Sequence, residues 1–369
     1  MKDSRITAVR EALAAKGLDA LMILIEANRR YMSGFTGEDH QFDESAGALF
    51  ISTDQLILTT DSRFEVQAGM EAPEYDVIIY RKGLTKELPA IVHRLAARTL
   101  GFECARVTVQ QYEGYKKELT EAACDLQLVP VEDIVERLRM IKSQEEIDQT
   151  QRALDLAEAV YREVVKTLNP GMTEKQIAWT MERRMRESGA DGLSFPVIVA
   201  AGPNSALPHA IPTDRPIGMG EPILFDWGAK LGGYCSDTSR TVILGTPDDK
   251  FLQVYHTVLE AQQLAIEAIG KGASTKAVDA VARDYIASKG FGDKFGHGLG
   301  HGTGLAVHEG PRLSPLKETI LETGMLVTVE PGIYLPEWGG VRIEHQVVVG
   351  QDGPVTMNHL STSYDIHQI

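Results

Sequence analysis

The sequence is short of cysteine, of positive charge and of long apolar runs, and each shortage removes a class of function. Three cysteines, Cys104, Cys124 and Cys235, are too few and too scattered for a disulfide framework or a thiolate zinc site, so a reducing cytoplasmic setting is expected. Lys and Arg number 37 against 52 Asp and Glu, a formal charge of −15. A chain this acidic repels phosphate backbones and anionic membrane surfaces, and no nucleic-acid partner is expected. The one apolar stretch near the start, Leu18 to Ile25, is too short to cross a bilayer and follows an amphipathic charged segment. Neither a membrane span nor an export signal is expected. The glycine-rich stretch near residue 300 has no Gly-Lys-Ser/Thr, which argues against a phosphate-cradling loop.

What is present is enough apolar sequence, 43% of 369 residues, for two domains with separate cores. The opening segment predicts a helix with Ile6, Val9 and Leu13 on one face, ending near Gly17. β-rich runs follow at Ala20–Ile25, Ala48–Ile51, Gln55–Thr59 and Asp76–Tyr80, then a helix around Leu88–Ala97. That rhythm predicts a small sheet covered by helices, of α/β (α+β) class. From Val131 the pattern becomes a long helical tract, Glu132 to Leu168, broken at Ile141-Lys142-Ser143, where Ser143 and Glu146 make a capping box. The boundary is therefore expected near residue 130, giving domains 1–130 and 131–369. Asn169-Pro170-Gly171 stops the tract, and Thr173 with Gln176 caps a further helix to about Ser188. Strands and glycine-rich turns follow from Ser194, with a helical interlude from about Lys250 to Lys289. The tail Leu360–Ile369 reads as irregular surface chain.

Two segments carry paired acids. In Pro222–Leu244, apolar runs flank a glycine-rich middle, the pattern of a β-hairpin. With Leu231-Gly232 as turn residues, Asp226 falls opposite Asp237, where like charges repel unless something positive lies between them. In Val327–Val349, a turn centred on Glu337 sets Glu330 opposite Glu344. Each pair alone reads equally as solvated or Arg-paired strand residues. Two such pairs in strands apolar enough to be buried call for a bound cation, because buried charges are paired or coordinate metal. Hard oxygen ligands favour Mn²⁺, Co²⁺ or Zn²⁺ in an expanded shell.

Between these hairpins, Phe295 to Glu309 sets His297, His301 and His308 among five glycines. Imidazole is a common metal ligand, and glycine lets backbone approach a crowded site. Spacing leaves open which histidine binds metal and which only makes structural hydrogen bonds. His209, in a turn-rich segment before the first hairpin, is a further candidate, with a surface-loop histidine as the plainer reading.

Together these residues resemble the pita-bread metallopeptidase family, which includes methionine aminopeptidase, aminopeptidase P and prolidase. The motifs are Asp226-x10-Asp237, Gly300-His301-Gly302 with His308-Glu309, Glu330-Pro331-Gly332 and Arg342-Ile343-Glu344. The resemblance implies a pita-bread catalytic domain holding two divalent metal ions, manganese foremost. It makes Asp226 the chelating aspartate, Asp237 and Glu344 the bridging carboxylates, and His301 and Glu330 the ligands completing the second metal. His209 and His308 then match substrate-facing histidines, and His297 a residue shaping the loop. Asn28–Gly37 and Thr60–Arg63 resemble the creatinase-type N-terminal domain of aminopeptidase P and prolidase, which disfavours methionine aminopeptidase. One departure is Ala306, where many relatives carry an acid.

The implied activity is hydrolysis of Xaa-Pro bonds in dipeptides or short peptides. The alternative is aminopeptidase P, releasing the first residue from longer Xaa-Pro peptides. A creatinase-like hydrolase and a non-catalytic binding protein are remoter readings, against the complete ligand set. Glu330 is expected to move the water proton, His308 to donate to the developing oxyanion, and His209 to hold substrate. Arg312 is placed to bind a dipeptide's free carboxylate, or is an exposed loop arginine. Arg342, two residues before Glu344, is placed at the substrate site to orient a ligand carboxylate, or forms a strand salt bridge. Short proline peptides are the expected partners, and the resemblance implies a homodimer.

Overall fold

Helix α1 (Lys2–Lys16) turns Ile6, Val9 and Leu13 onto one buried face, as their spacing requires, in a computed structural model that describes residues 2–39, 41 and 44–368. After it come β1 (Ala20–Ile23), α2 (Glu26–Ser33), β2 (Ala48–Ser52), β3 (Leu56–Thr60), α3 (Glu65–Glu71), β4 (Asp76–Ile79), α4 (Leu84–Leu95), β5 (Thr99–Glu103), α5 (Val109–Glu121), β6 (Gln127–Val131) and α6 (Ile134–Met140). The strands form one sheet in the order β4-β3-β2-β1-β5-β6. The expected runs are all strands of it. β5 and β6, which pair in parallel, have no counterpart in the sequence reading: each is short, and Gly101 and Pro130 interrupt the pattern that marks a strand.

Glu103, at the end of β5, is buried and ties this sheet to α2. Its carboxylate accepts from the amides of Leu24 and Ile25, both at 2.6 Å, and from Asn28 Nδ2 at 2.6 Å. Glu103→Ala leaves these donors without acceptors, and a buried unsatisfied donor costs about 1–3 kcal/mol. The variant is expected to lose about 3 kcal/mol in urea unfolding.

The chain divides between Arg139 and Met140 into two compact units, not near residue 130. β6 and α6 belong with the first unit because β6 completes its sheet; the change from strand to helix occurs before the boundary.

The second unit continues with α7 (Gln144–Val165), α8 (Glu174–Glu187), β7 (Gly192–Leu193), β8 (Ile198–Ala201), β9 (Pro222–Trp227), β10 (Ala229–Leu231), β11 (Tyr234–Cys235), β12 (Thr238–Ile243), α9 (Asp249–Glu267), α10 (Thr275–Ser288), β13 (Gly300–Gly302), β14 (Glu309–Leu313), β15 (Leu326–Val329), β16 (Gly332–Leu335), β17 (Gly339–Arg342), β18 (His345–Val349) and β19 (Pro354–Thr356). Capping boxes open α7 at Ser143 and α8 at Thr173. Helices α7 and α8 pack through Tyr161, Ile177 and Met181 onto Ile223, Phe225 and Trp227 of β9. Helices α9 and α10 pack through Val254, Val258 and Ala282 onto Val327, Val329 and Val347 of β15 and β18. Because strand side chains alternate, the residues between these, Asp226, Thr328 and Gln346, point to the other face of their strands. The site is built there.

The tail is not plain surface chain. Leu360 is buried, the carbonyls of Leu360 and Ser361 accept from the buried Arg240 guanidinium, and Asp365 bridges to Ile243. Ile369 lies outside the described residues. Among the described residues no helix is long and apolar enough to cross a membrane.

Candidate metal centre

In the first hairpin Asp226 stands opposite Ser239, not Asp237. The turn residues are Gly232 and Gly233, both at positive φ (57° and 86°), the conformation that a two-residue hairpin turn of matching twist demands and glycine supplies. The turn therefore lies one residue later than expected, and every pairing moves by two. A shift of two keeps each side chain on its face, so Asp226 and Asp237 still share one. In the second hairpin the expected register holds: Val329 faces His345 and Gly332 faces Arg342, which leaves Glu330 opposite Glu344.

Carboxylate oxygens of Asp226, Asp237 and Glu344 all lie within 4.8 Å of one another. His301 joins them from β13. Its flanking glycines permit the approach: a Cβ at Gly300 would stand 1.9 Å from the Thr328 carbonyl oxygen and one at Gly302 2.1 Å from that of Gly310. His301 Nδ1 lies 3.0 Å from the Gly302 carbonyl, which can only accept, so this nitrogen carries the proton. The Nε2 lone pair is thereby aimed at Glu330 Oε1 (3.4 Å) and Asp237 Oδ2 (3.5 Å).

Asp226 and Glu344 each have one oxygen tied and the other left over. Asp226 Oδ2 accepts from Arg342 Nη2 at 2.5 Å and Glu344 Oε2 from Ser239 Oγ at 2.7 Å. Asp226 Oδ1 and Glu344 Oε1 are buried without any hydrogen-bond partner. Lone pairs facing lone pairs in a buried space call for a cation or a proton between them, and several hard oxygen donors around one point fit divalent metal. The electrostatics agree. Burial pushes the Glu330 carboxyl up to about 8, and burial with mutual repulsion pushes Asp237 and Glu344 well above the carboxylate range. Asp226 is also raised by burial, with Arg342 pulling the other way. Burial holds His301 down at about 3, hence neutral.

Above this floor lies a cavity of about 530 Å³ with an apolar wall that includes Phe195, Val197, Ile211 and Leu316. His209, His297, His308, Arg312 and Arg342 also line it. The rings of His301 and His308 meet edge to face at 4.3 Å, and Arg312 stands directly across from His301 on β14. Arg342 pairs with Asp226, while Nη1 donates to Tyr334 Oη (2.8 Å) and to the Pro208 carbonyl (3.2 Å). Tyr334 Oη in turn lies 2.9 Å from His297 Nε2. Burial lowers His297 to about 4.

Sequence reasoning missed Ser239, Thr328, Tyr334 and Gln346. Thr328 Oγ1 accepts from the His301 amide and donates to Glu330, and Gln346 accepts from the Asp237 amide while donating to Thr303. Three of them carried a signal: Ser239, Thr328 and Gln346 each lie two positions from an acid, hence on the same face of the chain as that acid; Tyr334 has no such mark.

Two buried carboxylates, Asp237 and Glu344, two partly buried ones, Asp226 and Glu330, and a neutral imidazole gathered at one end of a small cavity make the site of a metal-dependent hydrolase. The chain belongs to metallopeptidase family M24, whose model matches residues 148–351, and residues 5–141 match the Creatinase/Prolidase N-terminal domain. The family works with divalent metal ions. An Xaa-Pro dipeptidase of Pyrococcus horikoshii is 33% identical, over 95% of each chain. The solved structure of an Xaa-Pro dipeptidase from Bacillus anthracis superposes with a TM-score of 0.92 at 37% identity, covering 98% of this chain and 99% of that one. An X-Pro aminopeptidase from Thermotoga maritima gives 0.84 at 37% identity over 94% and 97%.

Proposed function

We propose that the protein hydrolyses the bond before proline, acting foremost on Xaa-Pro dipeptides, with two divalent metal ions, manganese foremost and cobalt or zinc as alternatives. The observation that carries the reading is the arrangement of charge: acids and a neutral imidazole converge on the floor, where Arg342 is already paired with Asp226, and the Arg312 guanidinium stands across from His301 at the wall. Asp226, Asp237, His301, Glu330 and Glu344 would hold the ions, with Asp237 and Glu344 shared between them. Ions held there would polarise the scissile carbonyl and ease ionisation of water.

The remaining steps belong to the chain's own side chains. Glu330 takes the proton of the attacking water and passes it to the leaving proline nitrogen. His308 donates a hydrogen bond to the oxyanion that develops, and His209 holds the substrate beside the scissile bond. Arg312 pairs with the free carboxylate of proline, a charge-assisted contact that a longer peptide lacks at that position. Arg342 keeps Asp226 oriented. Three free cysteines suit a cytoplasmic enzyme, and we place it there as a homodimer acting on short proline peptides.

The test is a peptide-length series with metals added back to stripped protein. Leu-Pro is expected to be cleaved with higher kcat/KM than Leu-Pro-Xaa, with manganese the best activator. Preference for the longer peptide would make the enzyme an aminopeptidase P.

A further inference from the structure

The cavity wall that carries His209 runs from the end of β8 at Ala201 to Thr213 with only a tight turn, Gly202–Ala206, as regular structure. Such a segment is held by what it touches, and much of that holding converges on one side chain. Glu174, in the first turn of α8, is fully buried. Its Oε1 accepts from the Ala201 amide at 2.8 Å and from Asn204 Nδ2 at 3.1 Å. Its Oε2 accepts from the Thr213 amide at 2.9 Å, Thr213 Oγ1 at 2.6 Å and Asn204 Nδ2 at 3.1 Å. One carboxylate thus joins the two ends of the segment.

This is not helix capping, which Thr173 and Gln176 already provide for α8. Nor is the rest of the segment loose. Ser205 Oγ accepts from the Gly340 amide at 2.8 Å, and the Pro208 carbonyl accepts from Arg342, which seats the middle against β17. Glu174 fixes the ends. Glu174 does not line the cavity and stands outside the acid cluster.

We propose that Glu174 is a positioning residue for the reaction: it cinches the neck of the Ala201–Thr213 segment so that the exposed His209 meets the substrate at a fixed place. The proposal rests on the reading of His209 as a substrate-holding group. In Glu174→Gln one oxygen becomes an NH₂, so an amide at one end of the segment faces another donor instead of an acceptor.

Glu174→Gln is expected to lower kcat/KM for Leu-Pro by about 10- to 100-fold, the scale of a misplaced binding group. Bound metal stays at the parental level, and hydrogen exchange over residues 201–213 accelerates. In a His209→Ala background the same change should cost less than about twofold more, because residues acting through one another are not additive. Parental exchange over 201–213 in Glu174→Gln, or the full single-variant loss recurring without His209, overturns the proposal. The exchange readout needs no substrate. Faster exchange with metal content unchanged supports the clamp even in a chain that cleaves no Xaa-Pro peptide, which separates its failure from that of the peptidase reading.

Discussion

Asp237→Asn will lose bound metal and activity together. Asp237 is the residue on which the cluster closes, within reach of His301 Nε2 at 3.5 Å and of the Asp226 and Glu344 oxygens. Residues that only support a ligand cost about 10- to 100-fold on mutation, so the loss of kcat/KM here should exceed about 100-fold. Elemental analysis should show less metal than in the parent. Stability moves the other way in the metal-free state. Asp237 is pushed far above the carboxylate range by burial and by Glu344, Asp226 and Glu330, so removing its charge relieves repulsion. With chelator present, Asp237→Asn should melt no lower than the equally stripped parent; only the parent should gain stability when metal is returned. A variant that kept both metal and activity would overturn the shared-ligand assignment.

Arg312→Ala will separate the two possible cuts. A hydrogen bond to a charged group contributes about 1.5–3 kcal/mol, so KM for Leu-Pro should rise about 10- to 100-fold while kcat stays within a fewfold. Leu-Pro-Xaa, whose proline carbonyl is no longer an anion, should be nearly indifferent. The expectation follows from the position of Arg312 opposite His301 on β14 and on the cavity wall. Equal loss on both peptides would mean that Arg312 shapes the loop and does not read the carboxylate.

Much of this site was legible in the chain because β-structure writes its geometry with a period of two. Glu330 and Glu344 are opposed because a turn centred on Glu337, which sits at a φ of 68°, fixes every pairing of that hairpin. Asp226 and Asp237 came out on one face even though the turn was misplaced by one residue, since an even shift of register leaves facing unchanged. Capping boxes likewise marked the starts of α7 and α8 by local hydrogen bonds.

Nothing local states which strands will meet. What sets His301 apart from His297 and His308 is a ring nitrogen within 3.5 Å of both Asp237 and Glu330, on a strand whose glycines let β14 and β15 press close. Spacing along the chain does not encode that contact; only the family resemblance points to His301. The meeting of Glu344 with Asp226, the pairing of Arg342 with Asp226, and the gathering of Ala201 and Thr213 on Glu174 are likewise contacts between residues far apart in the chain. The first two exist because the helix pairs bury one face of each sheet and leave the other faces to converge; the third arises where α8 packs against the end of β8. Sequence by itself determined which residues share a face; only the tertiary structure decided which faces confront one another, because long-range packing is set by the whole core and not by any segment of it.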